Sequence, residues 1–449
     1  MIYKKTKAAV ILILSALSVF SLSASGQINP SGQLGAAYNG PPAPADAVIY
    51  EINFGAFSRE GTLNGVALGL DAVKELGANV IYLRPIHPIG ELKSFGSSYA
   101  IRDYTSINEK LGSLDDLRTL VRVAHQKNIT VIMDWVANHT AWDHPWLANR
   151  NWYLRDRAGN ALSPPGKGWD DVAQLNYKNT ALREAMIKAM QFWVVNTEVD
   201  GFRCDFADGP PFDFWKATIA SARNATKRKL FFLAESGTRE LYEAGFDCIS
   251  GFDFYNNLKQ VYWDKKPAKI MDLPGGNDRP NISDRKPEAR YISNNDLLAI
   301  EGPTATVFEN ERGAMAAFVL ACMQGPPMIY NGQEGLAEKS VGVYPADYTS
   351  EQVNPEYKKI LAIRKNSNAI KRGRLTSYSN DDVYVIKKDY EKERALVICN
   401  LRNKKVTYSV PDFLSIIPWV DAFSQNRKQL GKTIEMEPFG YFILKASSP

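Results

Sequence analysis

Eight times between residues 47 and 372 a short apolar run gives way to a stretch with helical spacing, and few folds accept that rhythm. AVIYEINFG (47–55), NVIYLRPI (79–86), TVIMDWV (130–136) and GFRCDFA (201–207) read as the first four strands. LFFLAE (230–235), FDCISGFD (246–253), ARYISNND (289–296) and PMIYNG (327–332) read as the other four. Between them LNGVALGLDAVKELG (63–77) is a helix that ends on glycine. SLDDLRTLVRVAHQKN (113–128) opens on Ser113 with Asp116 three residues on, the spacing of a capping box. In NTALREAMIKAMQFWVVNTEV (179–199), Leu182, Met186, Met190 and Trp193 share one face. Further helices are expected near 213–228, over 313–324 and near 353–369. Alternation of this kind makes a parallel sheet covered by helices. The count of eight selects a closed (β/α)8 barrel, 47–372, over an open sheet.

Two segments break the rhythm. Residues 137–178 are too many for a barrel loop and predict a short subdomain inserted after strand 3. From 373 the chain carries short strands with no helix between them (DDVYVIKKD, RALVICNLR, KKVTYSV, FGYFILKA), a C-terminal all-β sandwich domain over 373–449. At the other end, Lys4, Lys5 and Lys7 precede AAVILILSALSVF and SLSASG, so 1–26 has the pattern of a secretory signal peptide. An uncleaved membrane anchor is the alternative, and the lack of a cysteine near the cleavage region argues against a lipid anchor. Residues 27–46, rich in Gly and Pro, read as a tether. The expectation is an exported protein, periplasmic or extracellular, free of the membrane once the signal is cleaved. Cleavage removes three lysines and no acid, taking the formal charge from +5 to +2. So neutral a surface gives nucleic acid no electrostatic footing. Cys204, Cys248, Cys322 and Cys399 lie far apart in apolar segments and read as buried thiols.

At the carboxyl ends of barrel strands, acidic residues read as catalytic. Asp205 ends the fourth strand reading, Glu235 the fifth and Asp296 the seventh, and Asp134 lies in the third, followed by Asn138 and His139. Arg203 stands two residues from Asp205, on the same face of one strand. A guanidinium there is expected to keep Asp205 ionised as a nucleophile, while a carboxyl with a raised pKa donates a proton. That division of labour is the one retaining glycosidases use.

With these residues in place the sequence resembles the α-amylase family, glycoside hydrolase family 13. DWVANH (134–139), VAQLN (172–176), GFRCDFA, FFLAES, ISNND and GPPMIYNGQE (325–334) are similar to its conserved blocks, in the right order over nearly the whole mature chain. SYAIRDY (98–104) puts Tyr99 where the family stacks a tyrosine on the sugar at the cleavage site. The resemblance implies an exported α-amylase-type hydrolase acting on α-glucan oligosaccharides or polysaccharides such as starch. It assigns Asp205 as nucleophile, Glu235 as acid and base, and Asp296 as transition-state stabiliser, with Arg203, His139 and Tyr99 positioning the ring. No cofactor is required. Three departures stand out. Asn295 replaces the usual histidine before the stabilising aspartate and keeps an amide donor. DGPPF replaces the usual Lys-His continuation, which argues against a calcium site around Asn138. Gly96 replaces the aspartate of many exo-acting α-glucosidases. Two other functions stay open: transfer of the glucosyl group to a sugar, and a carbohydrate-binding protein on a degenerate scaffold. Trp135, Trp142, Trp146, Trp152 and Trp169 cluster around the insertion and are expected chiefly as its own small core, with some lining sugar subsites.

Overall fold

The structure is a computed structural model and describes residues 38–272, 286–335 and 348–447. The signal reading and most of the tether lie outside the described residues.

Eight short strands build the barrel: β1 Ile49–Ile52, β2 Val80–Leu83, β3 Thr130–Val136, β4 Gly201–Asp205, β5 Phe231–Ala234, β6 Cys248–Ser250, β7 Glu288–Ala289 and β8 Met328–Tyr330. They neighbour one another in the order β8-β1-β2-β3-β4-β5-β6-β7, every pair parallel. A single parallel bridge, Arg290 to Pro327, closes the ring, with the Met328 amide donating to the Arg290 carbonyl at 2.8 Å. Residues of β1 to β4 are buried on both faces, as a parallel sheet wrapped in helices requires. The start of β4 has a special demand. Gly201 sits at φ +141°, and a Cβ there would lie 2.0 Å from the Phe231 carbonyl oxygen. Only glycine lets β4 approach β5 so closely just before its functional residues.

The helices start where the sequence places their caps. Ser113 and Asp116 form both halves of the capping box on Leu114–Gln126. Asn179 caps Thr180–Asn196, whose Leu182, Met186, Met190 and Trp193 are all buried. All four cysteines are free and buried.

After β3 the chain makes a two-stranded antiparallel ribbon, His139–Ala141 with Val172–Gln174, and two short 3-10 turns between them. In the C-terminal region a six-stranded sheet carries Val383–Tyr390, Glu393–Asn400 and Tyr441–Ser447 side by side. Its strands alternate between two cores. Tyr384, Ile386, Val397, Cys399 and Ile443 join the barrel's hydrophobic core. Val383, Val385, Leu396, Ile398 and Leu444 face the other way, onto Tyr408, Leu414 and Trp419. A separate ribbon, Val406–Ser409 with Thr433–Met436, contributes to that second core. The sheet thus serves two cores at once.

Candidate active site

Strand register assembles the first half of the site. Asp134 of β3 lies opposite Arg203 of β4, and Val136 opposite Asp205. Cys204 lies opposite Ala234 of β5, which leaves Glu235 just past that strand's end. One guanidinium joins all three acids. Arg203 Nη1 donates to both oxygens of Asp134, at 2.8 and 3.0 Å, and to Asp205 Oδ1 at 2.8 Å. Its Nη2 meets Glu235 Oε1 at 2.5 Å. Asp134 is fully buried and also accepts the Tyr82 hydroxyl at 2.8 Å, so it anchors the arginine from below. The second oxygen of Glu235 accepts the Phe206 amide at 2.9 Å. Phe206 reaches it with φ at +39°, a left-handed conformation that costs a bulky residue about 1 to 3 kcal/mol.

This arrangement corrects one expectation. Arg203 is not a private counter-charge for Asp205. Burial and the charge of Glu235 push the Asp205 carboxyl well above its ordinary range, and Arg203 offsets them only in part. Burial likewise raises Glu235, against the pull of Arg203 and the Phe206 amide. Two buried carboxyls that share one guanidinium disfavour double ionisation.

The second half comes from β1, β2 and two loops. Arg84 follows β2 and donates Nη1 to Asn295 Oδ1 at 2.6 Å. Its guanidinium lies over the Tyr99 ring, 5.6 Å from the centroid. Glu51 of β1 is buried, and burial drives its carboxyl up to about 8 although Arg84 and Arg203 pull it down. Asp296 stands close enough for its charge to raise both Glu51 and Glu235. It does not end a strand, as the sequence suggested. β7 stops at Ala289, and Asp296 sits in the first turn of the helix Asn295–Glu301. The Asn294 side chain accepts the Leu297 amide and starts that helix early, which converts ISNND from strand to cap. His139 is buried and hydrogen-bonded to the Tyr99 backbone, and burial lowers it to about 4, so its ring is neutral at pH 7.

All seven residues expected from the sequence therefore converge: Asp205, Glu235 and Arg203 on one side, Asn295, Asp296, Tyr99 and His139 on the other. Four more were not singled out as site residues: Glu51, Tyr82, Arg84 and Asp134. A charge inside an apolar strand was the available signal for Glu51 and Asp134.

The tryptophans divide. Trp135 is fully buried, and Trp146 packs on Trp152 with ring centroids 5.2 Å apart. Trp169 instead meets the rings of Phe206 at 5.4 Å and His139 at 5.5 Å, with the Lys167 ammonium 4.4 Å from the Phe206 centroid. That makes an aromatic wall beside Glu235. Asn138 donates to Gln174 Oε1 at 3.1 Å and accepts from Gln174 Nε2 at 3.1 Å. This amide pair brings no carboxylate to the position. Among the described residues no group of three or more His, Cys, Asp or Glu is placed to hold a metal.

Fold and site together define a barrel enzyme that works with carboxyl groups, of the glycosidase class. Comparison with known proteins narrows this. The family profile described as alpha amylase, catalytic domain, matches residues 27–158. Alpha-amylase 3 of Dictyoglomus thermophilum is 24% identical, over 89% of this chain and 93% of its own. An alpha-1,4-glucan:maltose-1-phosphate maltosyltransferase of Corynebacterium pseudotuberculosis is 25% identical, over 72% of this chain and 52% of its own. The crystal structure of a noncanonic maltogenic alpha-amylase, AmyB, from Thermotoga neapolitana matches with a TM-score of 0.75 at 23% identity, covering 91% of this chain and 100% of that one. These matches make the chain similar to the α-amylase family of glycoside hydrolases.

Proposed function

We propose that the protein cleaves α-glucosidic bonds in starch-like oligosaccharides and polysaccharides with retention, through a covalent glucosyl-enzyme on Asp205. The observation that carries this reading is the Arg203 fork, with Asp205 on one terminal nitrogen and Glu235 on the other. Retaining glycosidases hold their two carboxyls about 5 to 5.5 Å apart, and one shared guanidinium suits that shorter spacing. With both acids raised by burial, ionisation of both at once is disfavoured, which suits one of them to carry a proton. Glu235 gives the proton to the glycosidic oxygen as the bond to the leaving sugar breaks. Asp205 forms the new bond to the anomeric carbon from the opposite face. Glu235, now a carboxylate, takes a proton from water, whose oxygen displaces Asp205 and restores the carboxylate. Asp296 and Asn295 bind hydroxyls of the reacting sugar, and Tyr99 and His139 position its ring.

A second reading, transfer to a sugar acceptor, draws support from the Trp169–Phe206 wall, since the Phe206 amide binds the acid that protonates the leaving group. Incubation with starch, pullulan and maltotriose, with products separated at low and high sugar concentration, tests both. Hydrolysis gives shorter glucans whose first-formed anomer is α. Transfer adds products longer than the substrate at high concentration. A first-formed β anomer would overturn the retaining mechanism.

We further propose that the protein works outside the cytoplasm, on the strength of the leader pattern in residues 1–26. Mass spectrometry should find a mature N-terminus near Ser25 to Gln27. Protein with residues 1–24 still attached contradicts this.

A further inference from the structure

Two guanidiniums, not one, enter this site, and the second has no role in the scheme above. Arg84 extends from the end of β2, 211 residues from Asn295 in sequence, and binds that residue's Oδ1 at 2.6 Å. An amide has two ends. Once the guanidinium holds the oxygen, the Nδ2 end must turn the other way, and it lies 3.3 Å from Asp296 Oδ1. Arg84 thus sets which way the Asn295 amide points. The same guanidinium lies over Tyr99. It is not part of a saturated structural network: its Nε is buried with no hydrogen-bond partner among the described residues. Buried donors are seldom left this way without a functional reason.

We propose that Arg84 is a positioning residue of the sugar site: it fixes the Asn295 amide with its donor end toward Asp296 and the reacting sugar. A titratable ring before the aspartate would carry charge only when protonated. Here an amide that never titrates is paired with a guanidinium that is always charged. The donor at this position therefore does not titrate. The alternative role, a counter-charge for the buried Glu51, is separable by experiment.

The inference rests on the reading that the protein cleaves α-glucosidic bonds, so its test begins with wild type on maltooligosaccharides. Arg84→Met should lower kcat/KM by roughly 10- to 100-fold, and Asn295→Ala by roughly 3- to 100-fold. The double variant should be no worse than the worse single one, because both changes remove one interaction. Arg84→Lys keeps the charge but not the planar fork, and should recover part of the loss, to within about tenfold of wild type. If Arg84→Met does not fold, as judged by thermal melting, the same cycle is run with Arg84→Lys and Asn295→Ala. Additive losses, or an Arg84 variant equal to wild type, overturn the inference and leave the hydrolase reading standing. Recovery of Arg84→Met by Glu51→Gln also overturns it, since Arg84 then served only as a counter-charge. A wild type that cleaves no α-glucan removes both.

Discussion

The two halves of the site solve the same problem in different ways. On the Arg203 side, three acids from neighbouring strands converge on one guanidinium, and strand register sets their places. On the Arg84 side, the partners come from β1, the end of β2, the loop that carries Tyr99 and the helix that starts at Asn295. The first half stands on β3, β4 and β5, which pair with one another beneath it. The second depends on side chains from distant segments holding one another. Chemistry on carboxyl protons needs the first kind of precision. Recognition of hydroxyls accommodates the second.

The largest effect should come from the first half. Asp205→Asn keeps shape and removes the charge, so activity should fall at least about a thousandfold. Its melting temperature should match or exceed wild type, because one buried negative charge is gone. A variant that keeps a tenth of the activity would break the assignment. Next, Arg203→Lys places a point charge where three acids need a fork, and should cost about a hundredfold in kcat with a smaller change in KM. An Arg203→Lys enzyme within a few-fold of wild type would mean the fork does not organise the pair.

The smallest effect lies in the second half and appears in stability. The Glu51 carboxyl rises from 4.5 to about 8 in the folded protein. Between those values the unfolded chain releases the proton while the folded one keeps it. The Glu51 contribution to stability therefore declines as pH rises from about 4.5 to 8 and then levels. Glu51→Gln removes this dependence. Its advantage in melting temperature over wild type should be larger at pH 8 than at pH 5. An advantage that stays constant across the range contradicts a protonated Glu51.

The two halves also differ in how much of them the sequence displays. Arg203 and Asp205 sit two apart in one strand, so a period of two places them side by side before any tertiary contact is known. Glu235 follows from the end of an apolar run. Asp134 carries the same information, since its strand neighbours β4, but the register that pairs it with Arg203 cannot be counted along the chain. On the other side no period links Arg84 to Asn295. Asp296 was placed at a strand end because ISNND follows an apolar stretch, yet its asparagines are cap residues, and the competition between strand and cap is won by the Asn294 side chain. Seven of the barrel strands were legible because each is a short, fully buried run, whereas β7 is only Glu288–Ala289 with Glu288 half-buried. The shared pull of three acids on one arginine was not, because it depends on distances across the barrel.

The alternation in the C-terminal sheet sets a timetable for synthesis. The barrel helix Glu311–Gln324 is buried from Gly313 to Met323, and it packs against the strand Glu393–Asn400. Lys388 reaches from the neighbouring strand to the Met323 carbonyl at 3.1 Å, and Phe439 stacks on Tyr262 of the barrel. A chain leaving the ribosome has all eight barrel strands in hand by residue 330. It still lacks the strand that packs on Glu311–Gln324 until residue 400, and the core residue Ile443 comes later still. A chain cut before Ile443, however intact its carboxylates, would leave part of the barrel's apolar surface uncovered.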